Sequence, residues 1–194
     1  MPYRRLYKNR QEANSDYQPR QWYVNDAKEL SWVADIAIKA SAAMPVNGLR
    51  GFIVRHHAEP SVLRHKYTIV VAEGVDETVK YMERFIVIKE LMHCYFEIDD
   101  RSSTDTEIIL DQHMRQFFGQ SARTQSVHVR AEYTALWMAM GVLCPERRRL
   151  EYRRKFESGE IALEAIAESL RAPAHIVRRL LTDQFEDEIR EILN

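Results

Sequence analysis

One predicted helix constrains this chain more than any other segment, because it carries charged residues where its composition indicates a core. Residues 77–96 are apolar around most of the helix circumference, with residues 85–88 as an unbroken apolar run. A helix that is apolar on every side is buried. Lys89, Glu90 and His93 nevertheless lie within it, and buried polar groups need partners. The sequence therefore predicts that these side chains pair with each other, with a metal ion or with a cleft.

The spacing of these residues matches part of the HExxH motif of zinc peptidases. In that motif, two histidines four positions apart on one helix face bind Zn²⁺, and the glutamate polarises the metal-bound water. In residues 89–93, KELMH, the glutamate and the second histidine are in place, and Lys89 stands where the first histidine should be. A protonated lysine has no lone pair to donate to a metal. The motif is therefore present but altered at a ligand position.

Composition and charge exclude several classes of protein. The chain has 45% hydrophobic and 29% charged residues and a net charge of −1, which is typical of a globular protein with no overall attraction to nucleic acid or anionic lipid. No run approaches the about 20 apolar residues that span a bilayer, and the N-terminus does not resemble a secretory signal. Only Cys94 and Cys144 are present, and we expect both to be buried in a cytoplasmic protein.

Spacing and helix breakers predict an α+β fold that is mostly helical. Residues 1–24 are polar and basic and are predicted to form a loosely packed or partly disordered arm before a domain of residues 25–194. A helix capped by Asn25 or Asp26 is predicted to follow, because apolar or small residues recur at three- and four-residue intervals at Leu30, Val33, Ala34, Ala37, Ile38 and Ser41.

The rest of the chain is predicted to contain two short strands and a series of helices. The strands are predicted at residues 51–55 and 67–72, which are β-rich. The further helices are predicted at residues 106–118, 127–143 and 146–157, at 161–170 and 174–181 as a hairpin, and in a last segment that ends at Leu193.

The segments around the altered motif resemble the ImmA/IrrE family of metallopeptidases. Residues 84–93, RFIVIKELMH, are similar to the family's RFTLAHELGH segment, and residues 131–145, AEYTALWMAMGVLCP, are similar to its ExxANxFAxxLLMP helix. Residues 161–181 resemble the closing pair of helices in that family. The likeness extends over about residues 28–182. It implies a small zincin-like domain with a short β-sheet and a C-terminal helical hairpin.

The resemblance also implies roles for individual residues. Glu90 corresponds to the ancestral general base, His93 to the second histidine ligand, and Glu132 to the third metal ligand. Met92 replaces a glycine of the family pattern, and Leu136 replaces an asparagine.

The departures from the family pattern cluster at the site, with Lys89 as the most important of them. We hypothesise that the Lys89 ammonium pairs with Glu132 or Glu90 and takes the structural role of the metal without its catalytic role. No cofactor is then expected, and His93 and Glu132 would be ancestral ligands without a metal.

The family resemblance implies a regulatory function. Its members cleave or control helix-turn-helix repressors in phage immunity, mobile-element transfer and stress responses. The sequence therefore favours a degenerate metallopeptidase domain, leaning away from an enzyme, that binds a helix-turn-helix regulator or another phage or mobile-element protein. No membrane partner is expected.

Three alternatives stay open at this point. His128 lies four residues before Glu132, so His93, His128 and Glu132 could form a displaced zinc site in an active peptidase. Residues 146–155 are rich in arginine, which could indicate a DNA-associated transcriptional regulator, although the acidic residues 183–191 would repel a phosphate backbone and nucleic acid is not the expected partner. In the third alternative, the polar groups are satisfied members of a helical core and no ancestral site exists.

Overall fold

The computed structural model describes residues 2–43, 51–56, 64–73, 77–96 and 127–194. Helices predominate in these residues, and the strands form one small sheet, so the prediction of a mostly helical α+β fold is confirmed. The elements, in chain order, are α1 (Pro2–Glu12), α2 (Arg20–Lys28), β1 (Val33–Ser41), β2 (Gly51–His56), β3 (His65–Ala72), α3 (Glu77–Met92) with a 3-10 turn (His93–Tyr95), α4 (Val127–Gly141), α5 (Glu146–Glu157), α6 (Leu163–Leu170), α7 (Ala174–Leu180) and α8 (Asp183–Leu193).

The described strands form a sheet with the order β1-β3-β2. β3 is central, with β1 parallel and β2 antiparallel to it. Helix α3 packs against β2 and β3. Gly51 allows this approach, because a Cβ atom there would overlap the side chain of Ile86. The sheet therefore fixes the position of the helix that carries the altered motif.

The prediction of a helix beginning at Asn25 or Asp26 and continuing through Ser41 is wrong. Helix α2 already begins at Arg20, and Asp26 is a buried residue near its end. From Val33 the chain is a strand that pairs with β3, with a register irregularity between Val33 and Asp35. The irregularity places Val33 and Ile36 in the core, a three-residue interval that is also typical of a helix. Pairing with β3 makes this segment a strand instead of a helix.

The prediction of a loosely packed N-terminal arm is also wrong. Residues Pro2–Glu12 form α1, and the side chains of Tyr3, Leu6 and Arg10 are buried in it. Helix α2 then packs against α3 and β1. The polar composition of this segment conceals its role, because the polar side chain of Arg10 is buried together with apolar ones such as Leu6 and Tyr23.

The predictions for the C-terminal third are confirmed. Helix α5 has the predicted bounds, and α6 and α7 form the predicted hairpin, joined through Arg171, whose φ is 46°. The helix predicted at residues 106–118 lies outside the described residues. Among the helices that the structure describes, none is long and apolar enough to cross a lipid bilayer.

Candidate functional site

The packing of α3 against α4 brings together the four residues of the candidate site. Lys89 and Glu90 lie at the C-terminal end of α3, His93 opens the 3-10 turn, and Glu132 lies on α4. Their side chains are 9%, 3%, 7% and 19% exposed, respectively. Groups that are distant in the sequence therefore form one largely buried charged cluster.

The Lys89 ammonium lies between the two carboxylates. Its Nζ donates a hydrogen bond to Glu132 Oε2 over 2.5 Å. It also lies 2.7 Å from Glu90 Oε1, as an ion pair outside hydrogen-bond geometry. One cation thus bridges an acid on its own helix and an acid on the neighbouring helix. This is the pairing that the sequence predicted for Lys89.

His93 completes the cluster from the side of the 3-10 turn. Its Nε2 lies 3.0 Å from Glu132 Oε1 and 3.9 Å from Glu90 Oε2. Within the described residues this nitrogen has no hydrogen-bond partner, so its contact with Glu132 is close but not aligned as a hydrogen bond. The ring of Phe96 stands edge-on at 5.3 Å from the imidazole. The His93 ring is therefore positioned by packing and charge together.

The protonation of the central pair follows from its surroundings. Burial alone would lower the pKa of the Lys89 amine, but the charges of Glu132 and Glu90 outweigh burial and raise that pKa above its ordinary value. Burial alone would raise the pKa of Glu132, and the charges of Lys89 and His93 instead hold it well below its ordinary value. At neutral pH, Lys89 is therefore a cation and Glu132 an anion.

The N-terminal helices hold the turn that carries His93. Asp26, buried on α2, accepts a hydrogen bond of 2.8 Å from the hydroxyl of Tyr95. The same carboxylate accepts hydrogen bonds from Arg5 and Asn9 on α1. The 3-10 turn is thus tied to two helices through one acidic side chain. Sequence reasoning missed this residue and placed it at a helix cap.

The same segment also holds the end of the helix that carries Glu132. The last carbonyl groups of an α-helix have no partner within the helix. The guanidinium of Arg10 donates to Val142 O and Leu143 O, just after α4, and the Tyr23 hydroxyl also donates to Val142 O. Further up the helix, the hydroxyl of Tyr3 donates to Met138 O. The N-terminal helices therefore fix both elements of the site.

The displaced zinc site falls partly outside the described residues. His128 lies in α4, but its side chain is not among those that the structure describes. Among the side chains that are described, no group of three or more His, Cys, Asp or Glu residues is arranged to hold a metal ion.

The residues at the cluster do not fit the zinc ion that the family resemblance implies. Zinc binds nitrogen or oxygen lone pairs at about 2.0–2.2 Å. One oxygen of Glu90 and one oxygen of Glu132 are already in contact with the Lys89 ammonium. That ammonium offers no lone pair and would repel a divalent cation. We therefore derive no catalytic step through a metal.

The arginine-rich helix α5 is largely neutralised by neighbouring acids. Arg148 lies 2.6 Å from Asp16, and Arg149 and Arg153 both contact Glu186 on α8. Ion pairs of this kind leave fewer cations for a phosphate backbone. The acidic residues that the sequence analysis placed in the tail are therefore used in part to balance this helix.

The two cysteines noted in the sequence lie in the core. Cys94 and Cys144 are buried, as expected, and form no disulfide, and burial raises the pKa of the Cys144 thiol to about 12.

Comparison with known proteins adds no assignment: no family model, curated protein or solved structure matches this chain.

Proposed function

We propose that this chain is a degenerate ImmA/IrrE-like metallopeptidase domain that acts in the cytoplasm by binding a protein without cutting it. Its partner would be a helix-turn-helix regulator or another protein of a phage, mobile-element or stress-response system. The sequence resemblance over residues 28–182 supports the family and the partner class. The chemistry of the site supports the absence of catalysis.

The observation that carries this proposal is the position of Lys89. A zinc peptidase needs an acid that is free to accept a proton from metal-bound water. In this chain Glu90, which corresponds to that acid, lies 2.7 Å from the Lys89 ammonium instead. Glu132, which corresponds to a metal ligand, accepts a hydrogen bond from the same group. Both acidic groups are occupied by a cation that activates no water.

The buried cluster is compatible with a role in binding, because it leaves the domain folded around an intact helix pair. Lys89 joins α3 to α4 at the place where the family resemblance predicts a metal. The domain could then present a folded surface to a partner without a bound metal.

A combined binding and cleavage assay tests the proposal. The purified chain is mixed, with and without Zn²⁺, with helix-turn-helix regulators from the same genome. Complexes are detected by size-exclusion chromatography, and each regulator is weighed by intact-mass spectrometry. We expect at least one complex in which the regulator keeps its full mass.

Zinc-dependent cutting of a regulator by the wild-type chain would contradict the proposal. His128→Ala is the matched control, because loss of that cutting in this variant would establish the displaced site. Complexes with none of the regulators would contradict a helix-turn-helix regulator as the partner.

A further inference from the structure

We infer that Lys89 is the resident cation of the buried cluster, and that its ammonium clamps α3 to α4 in a way that needs no divalent metal. The inference rests on contacts within the domain and holds whatever protein the chain binds. It concerns what stabilises the fold, which is separate from the proposed function.

The clamp follows from where the contacts of Lys89 lead. Glu90 belongs to the same helix, so that ion pair adds nothing between helices. Glu132 belongs to α4, and its Oε2 accepts a hydrogen bond of 2.5 Å from Nζ. The side chain of Lys89 is only 9% exposed. A salt bridge this well buried is screened little by water or salt, so it acts directly between the two helices.

The cluster requires a cation because of its acids. Without Lys89, the carboxylates of Glu90 and Glu132 would share a largely buried space in which His93 is the one ion-pair partner among the described residues. Leaving a buried charge without its partner is strongly destabilising. The domain must therefore carry a positive charge at this point, and Lys89 supplies it as part of the chain.

A metal ion cannot share this position with Lys89. The ammonium lies 2.5 Å and 2.7 Å from the two carboxylate oxygens, and a zinc ion would need about 2.0–2.2 Å from the same atoms. The two cations would overlap and repel each other. The stability of the wild-type domain is therefore independent of metal supply.

Thermal unfolding of the full chain tests the clamp. Lys89→Met keeps the apolar stem and removes the charge, and we expect its melting temperature to fall by about 8 °C. Glu132→Gln removes the charge from the other helix and is expected to lower the melting temperature too. Both single variants break the same interaction. The melting temperature of the double variant should therefore fall by clearly less than the sum of the two single decreases. Excess chelator or equimolar Zn²⁺ should leave the wild-type value unchanged.

Lys155→Met provides the matched control, because Lys155 pairs with Glu151 at the surface and its side chain is 37% exposed. Its loss should shift the melting temperature by less than about 2 °C. Three results would overturn the inference: a Lys89→Met variant as stable as this control, additive effects in the double variant, or a wild-type chain destabilised by chelator.

If Lys89→Met does not fold, the ammonium can be observed directly in the wild type. A buried, hydrogen-bonded lysine ammonium exchanges its protons slowly, so a ¹⁵N–¹H spectrum at neutral pH should contain a side-chain ammonium signal that Lys89→Arg removes. A wild-type spectrum without that signal would overturn the inference.

Discussion

Replacement of Arg10 by methionine is expected to lower the free energy of unfolding by about 4 kcal/mol, which corresponds to about 12 °C in melting temperature. The side chain of Arg10 is fully buried, and its guanidinium donates to four backbone carbonyls, those of Ser15, Asp16, Val142 and Leu143. Methionine fills much of the same volume but donates no hydrogen bond. The buried carbonyls of Val142 and Leu143 would both lose this donor, and Val142 O would keep the hydrogen bond from the Tyr23 hydroxyl. Chemical denaturation measures the effect.

Arg4→Met is the control for this prediction, because Arg4 is an exposed arginine on the same helix and its guanidinium donates to the backbone oxygen of Asn194. Its cost should stay below about 1 kcal/mol. An Arg10→Met variant with an equally small effect would show that the N-terminal helices do not hold the end of α4.

Replacement of Gly141 by valine should be as damaging, for a steric reason. A Cβ atom at this position would lie 2.5 Å from the Tyr3 hydroxyl oxygen and 2.7 Å from Cδ1 of Ile189. The hydroxyl cannot move away without losing its hydrogen bond to Met138 O. Overpacking together with a lost buried hydrogen bond should lower the free energy of unfolding by about 4 kcal/mol, which chemical denaturation measures.

Two further variants test whether the loss in Gly141→Val comes from the steric clash. Gly159 has a φ of 76° and open space around it, so Gly159→Ala should cost only about 1 kcal/mol through backbone strain. Combining Tyr3→Phe with Gly141→Val removes one of the two clashing atoms and should recover part of the loss. If Gly141→Val were as mild as Gly159→Ala, the close contact of α1, α4 and α8 would be contradicted.

The pairing of Lys89 could be predicted because the sequence shows a conflict there. Charged residues in an apolar helix must find partners, and the adjacent Glu90 and Glu132 on a second apolar helix were the two candidates. The structure places Lys89 Nζ against both carboxylates. The helices after Pro145 were also predicted closely, because Pro145, Gly159 and Pro173 mark their boundaries.

The elements that were missed depend on distant parts of the chain. β1 has apolar residues at helical spacing, and only its pairing with β3 makes it a strand. Helices α1 and α2 bury apolar side chains such as Leu6 and Tyr23, but their position also depends on Arg10 and Asp26, which contact carbonyls and side chains far away in the sequence. A hydrogen bond to a distant carbonyl leaves no periodic signal, so local spacing could not reveal it.

The omission of α1 and α2 matters for the site, because these two helices hold it in place. Asp26 anchors the turn that presents His93, and Arg10 anchors the helix that presents Glu132. The cluster is therefore stabilised from outside by the segment that the sequence suggested was a loose arm. Substitutions in residues 2–28 should accordingly affect the positions of the two elements that carry His93 and Glu132.

The central claim is that the Lys89 ammonium stands where the family resemblance predicts a metal. Zinc per chain, measured by mass spectrometry on protein purified without chelator, tests it most directly in the wild type and in Lys89→His. We expect far less than one zinc per wild-type chain and close to one per Lys89→His chain, because the substitution restores a nitrogen ligand beside His93 and Glu132. Stoichiometric zinc retained by the wild type through dialysis would contradict the claim.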